Sequence, residues 1–156
     1  MDIRKVPWLR DIDEKLARLE VPGAIIFHGK NGIGKNLIVD KLSRNLFCID
    51  RSVNGVACGT CEDCHLFSIG GHPDFFIISE NEDENSKITI KDVRNISSFF
   101  EKTSHRGRAK IIVIYNAETL GTVPSNAILK LLEDYQTNTF FFLLTEKIFQ
   151  ILPTNY

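Results

Sequence analysis

The sequence predicts an α/β fold, a parallel sheet flanked by helices on both faces. Three observations carry that expectation. Four apolar runs of strand length, 24–27, 75–78, 111–114 and 140–144, do not alternate with polar residues, as strands buried on both faces require. Segments with helical spacing separate them. A glycine-rich stretch with a lysine follows the first run and opens the first of those helices.

Taken in order, residues 11–19 read as a short amphipathic helix, with Ile12, Leu16 and Leu19 among charges, broken by Val21-Pro22-Gly23. The run Ala24-Ile25-Ile26-Phe27 is the first strand, and 37–47 the helix after it. Residues 50–64 are polar and cysteine-rich and read as an inserted loop. The run Phe75-Phe76-Ile77-Ile78 is the second strand, and 80–87 an acidic exposed turn. In the helix at 90–100, Val93, Ile96 and Phe100 share a face. The third strand is Ile111-Ile112-Val113-Ile114, the next helix 126–133, and the fourth strand Phe140-Phe141-Phe142-Leu143-Leu144.

At 156 residues the chain fits one domain and can bury a core without disulfides. Its formal net charge of −1 excludes nucleic-acid binding driven by bulk charge. Lys102, His105, Arg106, Arg108 and Lys110 form a local basic run, read as a solvated loop ahead of a strand. No apolar run reaches membrane-spanning length and the N-terminus lacks a signal-peptide core, so the expected location is cytoplasmic, with no membrane partner.

Gly29-Lys30-Asn31-Gly32-Ile33-Gly34-Lys35-Asn36 fits G-x-x-x-x-G-K in strand–loop–helix context, the pattern of a phosphate-binding loop. Its glycines let backbone N–H groups converge on phosphate, and Lys35 would reach the β/γ-phosphates. The last position departs from the motif, since Asn36 stands where a Ser or Thr hydroxyl would hold Mg²⁺. A hydrolysing enzyme also carries Asp-Glu at the end of a neighbouring strand, and Tyr115-Asn116 stand there instead. Glu118 lies two residues beyond and is read as stabilising a helix N-terminus.

Cys48, Cys58, Cys61 and Cys64 bring four thiols within one short stretch, with overlapping C-x2-C steps that suit a closed tetrahedral Zn²⁺ site. Four protein ligands leave no open position, so such a site is structural. An iron–sulfur site or four buried thiols are the alternatives, and His65 beside the cluster is read as a bystander.

Together these features resemble the delta-prime subunit family of the bacterial DNA polymerase III clamp loader. Pro7-Trp8-Leu9 looks like that family's opening, and Gly29 to Lys35 is similar to its phosphate loop. The cysteine insertion sits where the family's zinc module sits. Gly71-His72-Pro73-Asp74-Phe75 resembles the entry to its second strand. Asn126-Ala127-Ile128-Leu129-Lys130-Leu131-Leu132-Glu133 resembles its N-A-L-L-K-x-L-E-E helix, and Leu152-Pro153-Thr154 the segment before its Ser-Arg-Cys motif.

The resemblance implies a RecA-like AAA+ domain over 1–156 with a zinc insertion at 48–64, on a sheet that has five strands in the family. It implies a stator that keeps the AAA+ shape with a vestigial phosphate loop (Gly29, Asn31, Gly32, Ile33, Gly34, Lys35, Asn36) and does not hydrolyse ATP. The implied partners are the gamma/tau and delta subunits and, indirectly, the sliding clamp and primed DNA. Thr145 falls at the family's sensor position, where strand-end capping also accounts for it. The family's lid and collar do not fit in this length, so the chain reads as an N-terminal fragment. Two other readings compete with it. An active ATPase, gamma/tau-like or a nucleotide kinase, is opposed by Asn36, Tyr115 and Asn116. A zinc-dependent nucleic-acid-binding module is opposed by the near-zero charge.

Overall fold

The computed structural model describes residues 7, 9, 11, 21–79, 87–134 and 137–147. The expected helix at 11–19, most of the acidic turn at 80–87 and the Leu152-Pro153-Thr154 segment lie outside them; Pro7, Leu9 and Asp11 are helical. In chain order the elements are β1 (Ala24–His28), α1 (Lys35–Phe47), α2 (Glu62–Ser68), β2 (Phe75–Ile78), α3 (Ile90–Glu101), β3 (Lys110–Ile114), a 3-10 turn (Ala117–Thr119), α4 (Thr122–Glu133) and β4 (Thr139–Thr145). The strands form one parallel sheet in the order β1-β4-β3-β2, so the first strand pairs with the last.

The unbroken apolar runs follow from this architecture. Successive side chains on a strand point to opposite faces, and helices cover both. On one face Ile111, Val113, Phe142 and Leu144 pack with Ile38, Val39, Leu42 and Phe47 of α1 and Phe67 of α2. On the other, Ile112, Ile114, Phe141 and Leu143 pack with Val93, Ile96 and Phe100 of α3 and Ile128 of α4. β3 is buried along its whole length. β1 departs from the expectation of burial on both faces. It is an edge strand among the described residues; Ile25 and Phe27 face the first cluster, while Ala24, Ile26 and His28 are exposed. No helix of the described residues is long and apolar enough to cross a membrane.

Local signals set the helix ends. Thr89 and Asp92 form a reciprocal capping box at the start of α3, with Thr89 N–H donating to Asp92 at 2.7 Å. α4 starts a turn before the expected residue 126, because Pro124 lies in its first turn, where a missing N–H costs nothing. α2 was not foreseen; it begins in the last three residues of the segment read as a loop and runs on to Ser68.

Two members of the basic run have protein partners rather than solvent alone. Lys110 begins β3 buried, and its ammonium donates to the carbonyls of Phe99, Phe100 (2.9 Å) and Lys102 and lies 4.7 Å from the Phe99 ring centroid. It thus caps the C-terminal end of α3, where the helix dipole favours a cation. Arg106 pairs with acids on α2. We expect Lys110→Met to cost about 1–3 kcal/mol, the range for hydrogen bonds from a charged donor to groups left unpaired on its removal. A urea titration should show a lower midpoint with an unchanged slope.

Candidate functional site

The pairing of β1 with β4 sets His28 opposite Thr145, and Gly29 N–H donates to Thr145 O at 3.1 Å as the chain leaves the sheet. The chain then turns through Lys30–Ile33 to Gly34, the N-cap of α1, whose φ of 98° lies in the left-handed region that favours glycine. A Cβ there would sit 2.5 Å from Leu9 Cδ1. No side chain caps α1 and its first turn carries no acid, so the helix supplies no anion of its own to its positive end. The Lys35 ammonium turns back onto the carbonyls of Gly29 and Lys30, the latter at 3.0 Å. Asn31 N–H donates to the carboxylate of Glu146, and Asn36 is exposed on the first turn. Of the expected phosphate-loop residues, Gly29, Asn31, Gly32, Ile33 and Gly34 lie between β1 and α1, and Lys35 and Asn36 open α1.

Tyr115 and Asn116 follow β3 as the sequence placed them. Tyr115 is half-buried, and burial pushes its hydroxyl above the ordinary value, with Asp40 adding to the rise. Asn116 adopts a left-handed φ of 49° and caps the 3-10 turn. Glu118 sits in that turn but does more than stabilise its N-terminus. Its carboxylate accepts from Glu146 N–H at 3.2 Å. Burial alone would raise its pKa. Hydrogen bonds from its own N–H, Thr145 and Glu146, together with the charge of Lys35, outweigh that and hold the carboxyl below the usual value. The Thr145 hydroxyl accepts from Lys147 N–H at 3.0 Å, a strand-end cap.

The four cysteines come together from three places. Cys48 is the C-cap of α1, Cys58 lies on the loop, Cys61 is the N-cap of α2 and Cys64 is in its first turn. All four sulfurs lie within 4.8 Å of one another, with Cys48–Cys58 at 3.6 Å and Cys48–Cys61 at 3.9 Å. A tetrahedron with ~2.3 Å Zn–S bonds has S···S edges of about 3.8 Å, so the donor set fits. The N–H groups of Thr60 and Cys61 point at Cys58 Sγ and lower its pKa to about 6. Burial raises Cys48, and burial with the neighbouring thiols pushes Cys64 up to about 12. Four thiolates this close repel one another; a bound divalent cation would reverse that balance and deprotonate them. His65 is exposed and outside the cluster, as expected.

Sequence reasoning missed the network that ties this cluster to the sheet. Asp63, buried between Cys61 and Cys64, accepts from Arg106 Nε at 2.7 Å, while Arg106 Nη2 reaches Glu62 at 2.7 Å. The His72 ring stacks on Phe47 at 3.7 Å between centroids. Its Nδ1 accepts from Asp74 N–H at 3.2 Å, leaving Nε2 3.5 Å from Asp63 Oδ1. The fully buried Asp74 carboxylate accepts from Ser104 Oγ and from the N–H groups of His105 and Arg106, at 2.7–2.8 Å. The Gly71–Phe75 motif, noted only for its resemblance, was the available signal.

A family model described as DNA polymerase III, delta subunit, matches residues 6–155. DNA polymerase III subunit delta' of Pseudomonas aeruginosa is 31% identical over 149 residues, covering 95% of this chain and 45% of that protein. The Escherichia coli subunit of the same name is 30% identical over 156 residues, covering 97% and 46%. The chain thus spans about half the length of the curated relatives it matches. A crystal structure of a DNA polymerase III gamma subunit-related protein from Thermotoga maritima aligns with a TM-score of 0.59 at 17% identity, covering 92% of this chain and 41% of that one. At that identity the likeness shows the fold alone.

Two measurements address this site. Elemental analysis of chelator-free protein should find one zinc per chain. Cys61→Ser should lose it and cost about 3–4 kcal/mol, the linkage expected when free metal stands 100–1,000-fold above its dissociation constant. The second uses pH. Because the Glu118 pKa is lowered on folding, its stabilisation is complete above the ordinary carboxylate value of 4.5 and is lost as pH falls through the lowered folded value. Wild type should therefore lose melting temperature more steeply than Glu118→Gln below about pH 4.5, the cysteine contribution cancelling in the difference.

Proposed function

The chain belongs to the DNA polymerase III delta-subunit family, and we propose on that premise that it is the AAA+ part of a non-catalytic, stator subunit of the clamp loader. In this reading it helps load the sliding clamp onto primed DNA in the bacterial cytoplasm, in contact with gamma/tau and delta subunits. Zn²⁺ held by Cys48, Cys58, Cys61 and Cys64 stiffens the insertion at 48–64 and does no chemistry. Gly29, Asn31, Gly32, Ile33, Gly34, Lys35 and Asn36 are a vestigial phosphate loop.

The observation that carries the reading is the end of β3. Phosphoryl transfer rests on positioned Mg²⁺ and charge stabilisation rather than covalent chemistry. Tyr115 and Asn116 offer neither the metal-holding carboxylate nor the water-orienting one, and Asn36 replaces the hydroxyl on the metal. Each such loss typically costs ~10²–10³ in rate.

One observation favours an active gamma/tau-type ATPase instead. The Glu118 carboxylate lies within the field of Lys35 and is held ionised beside the loop. Phosphate release from excess Mg²⁺-ATP separates the two readings. The stator reading predicts background release from wild type, Lys35→Ala and Glu118→Gln alike. Turnover of about 1 per second or faster, abolished by either substitution, would establish the ATPase instead.

A further inference from the structure

Glu146 is the first residue beyond β4, and three contacts hold it beside the phosphate loop, one of them to the loop itself. Its N–H donates to Glu118 Oε1 at 3.2 Å. Its carbonyl is 3.0 Å from Nε2 of His28, the last residue of β1. Its carboxylate accepts from Asn31 N–H, one of the loop's own donors. The backbone is thus held from both sides, and the side chain meets the loop at Asn31. The loop's cation is also engaged internally, since Lys35 donates to the Gly29 and Lys30 carbonyls.

A phosphate loop selects its ligand by offering backbone N–H groups to an anionic oxygen. A carboxylate oxygen belongs to the same class of acceptor, and a charge-assisted N–H bond is of the stronger kind. We propose that Glu146 is an internal stand-in for phosphate, closing the loop to nucleoside polyphosphates. An incoming phosphate must displace this carboxylate from Asn31 N–H and then sit beside two negative charges, Glu146 and Glu118. Like charges at this separation oppose binding. The inference rests on the reading of this loop as a phosphate site by descent and goes beyond it. Missing catalytic acids abolish turnover, whereas an occupied loop also suppresses binding.

The test is calorimetric titration of the zinc-loaded 156-residue chain with ATP and with inorganic pyrophosphate. Wild type is compared with Glu146→Ala, Glu146→Gln and the control Glu101→Gln, which removes the same charge from the exposed end of α3. Both Glu146 variants should bind both probes at least about tenfold more tightly than wild type. Glu146→Gln should gain less than Glu146→Ala, because its amide oxygen still accepts from Asn31 but without charge. The control should match wild type. Equal affinities in wild type and both Glu146 variants would overturn the proposal, as would an equal gain in the control. Phosphate release measured in the same samples reports separately on the non-catalytic reading. Tighter binding without turnover upholds both, and turnover defeats only that reading.

Discussion

The parallel pairing of β1 with β4, from Ala24 opposite Phe141 to His28 opposite Thr145, is the constraint on which the rest of the molecule depends. It seats the first strand beside the last. It therefore decides that the turn after β1 meets the residues after β4. Without that register Gly29 would not reach the Thr145 carbonyl, and Glu146 would not reach Asn31. A shift of one residue would also turn Ile25 and Phe27 away from the core they help close.

The second organising element is electrostatic. The cysteine-rich segment itself offers few apolar residues to the sheet, and charge adds to the burial of Phe67 in holding it there. Arg106 spans Asp63 and Glu62 on α2, and Asp74 gathers the turn that carries Arg106. His72 joins the two through its stack on Phe47 and its place between Asp74 and Asp63. The cysteine cluster and the sheet are thereby tied together, because Asp63 stands next to Cys64 and Asp74 immediately precedes β2.

The four strands were legible because two covered faces force unbroken apolar runs, and that pattern has few other causes in a chain of this charge. The phosphate-loop and cysteine spacings were legible because both are local chemistry. What escaped was short or distant. α2 has seven residues and only a few apolar ones, so no periodicity could emerge. Lys110 and Arg106 looked like parts of a solvated run because their partners are set by tertiary structure; Arg106 and Asp63 are 43 positions apart. Pro124 concealed the first turn of α4 because proline reads as a breaker unless its place within the helix is known. Glu146 had no local signal, since its role exists only once β1 and β4 are side by side.

The same pairing has a consequence for how the chain is made. His28 and Glu146 are 118 positions apart, and β2 and β3 lie between them in the order of synthesis. At roughly 5–20 residues per second, β1 leaves the ribosome on the order of ten seconds before its only strand partner among the described residues. During that interval Ala24-Ile25-Ile26-Phe27 is an unpaired apolar strand. Such a segment is a template for pairing with other nascent copies. β2 and β3 can pair earlier, so the sheet assembles from its far edge inward and β1 locks last. The phosphate loop thus takes shape only when translation has passed β4, the strand beside it.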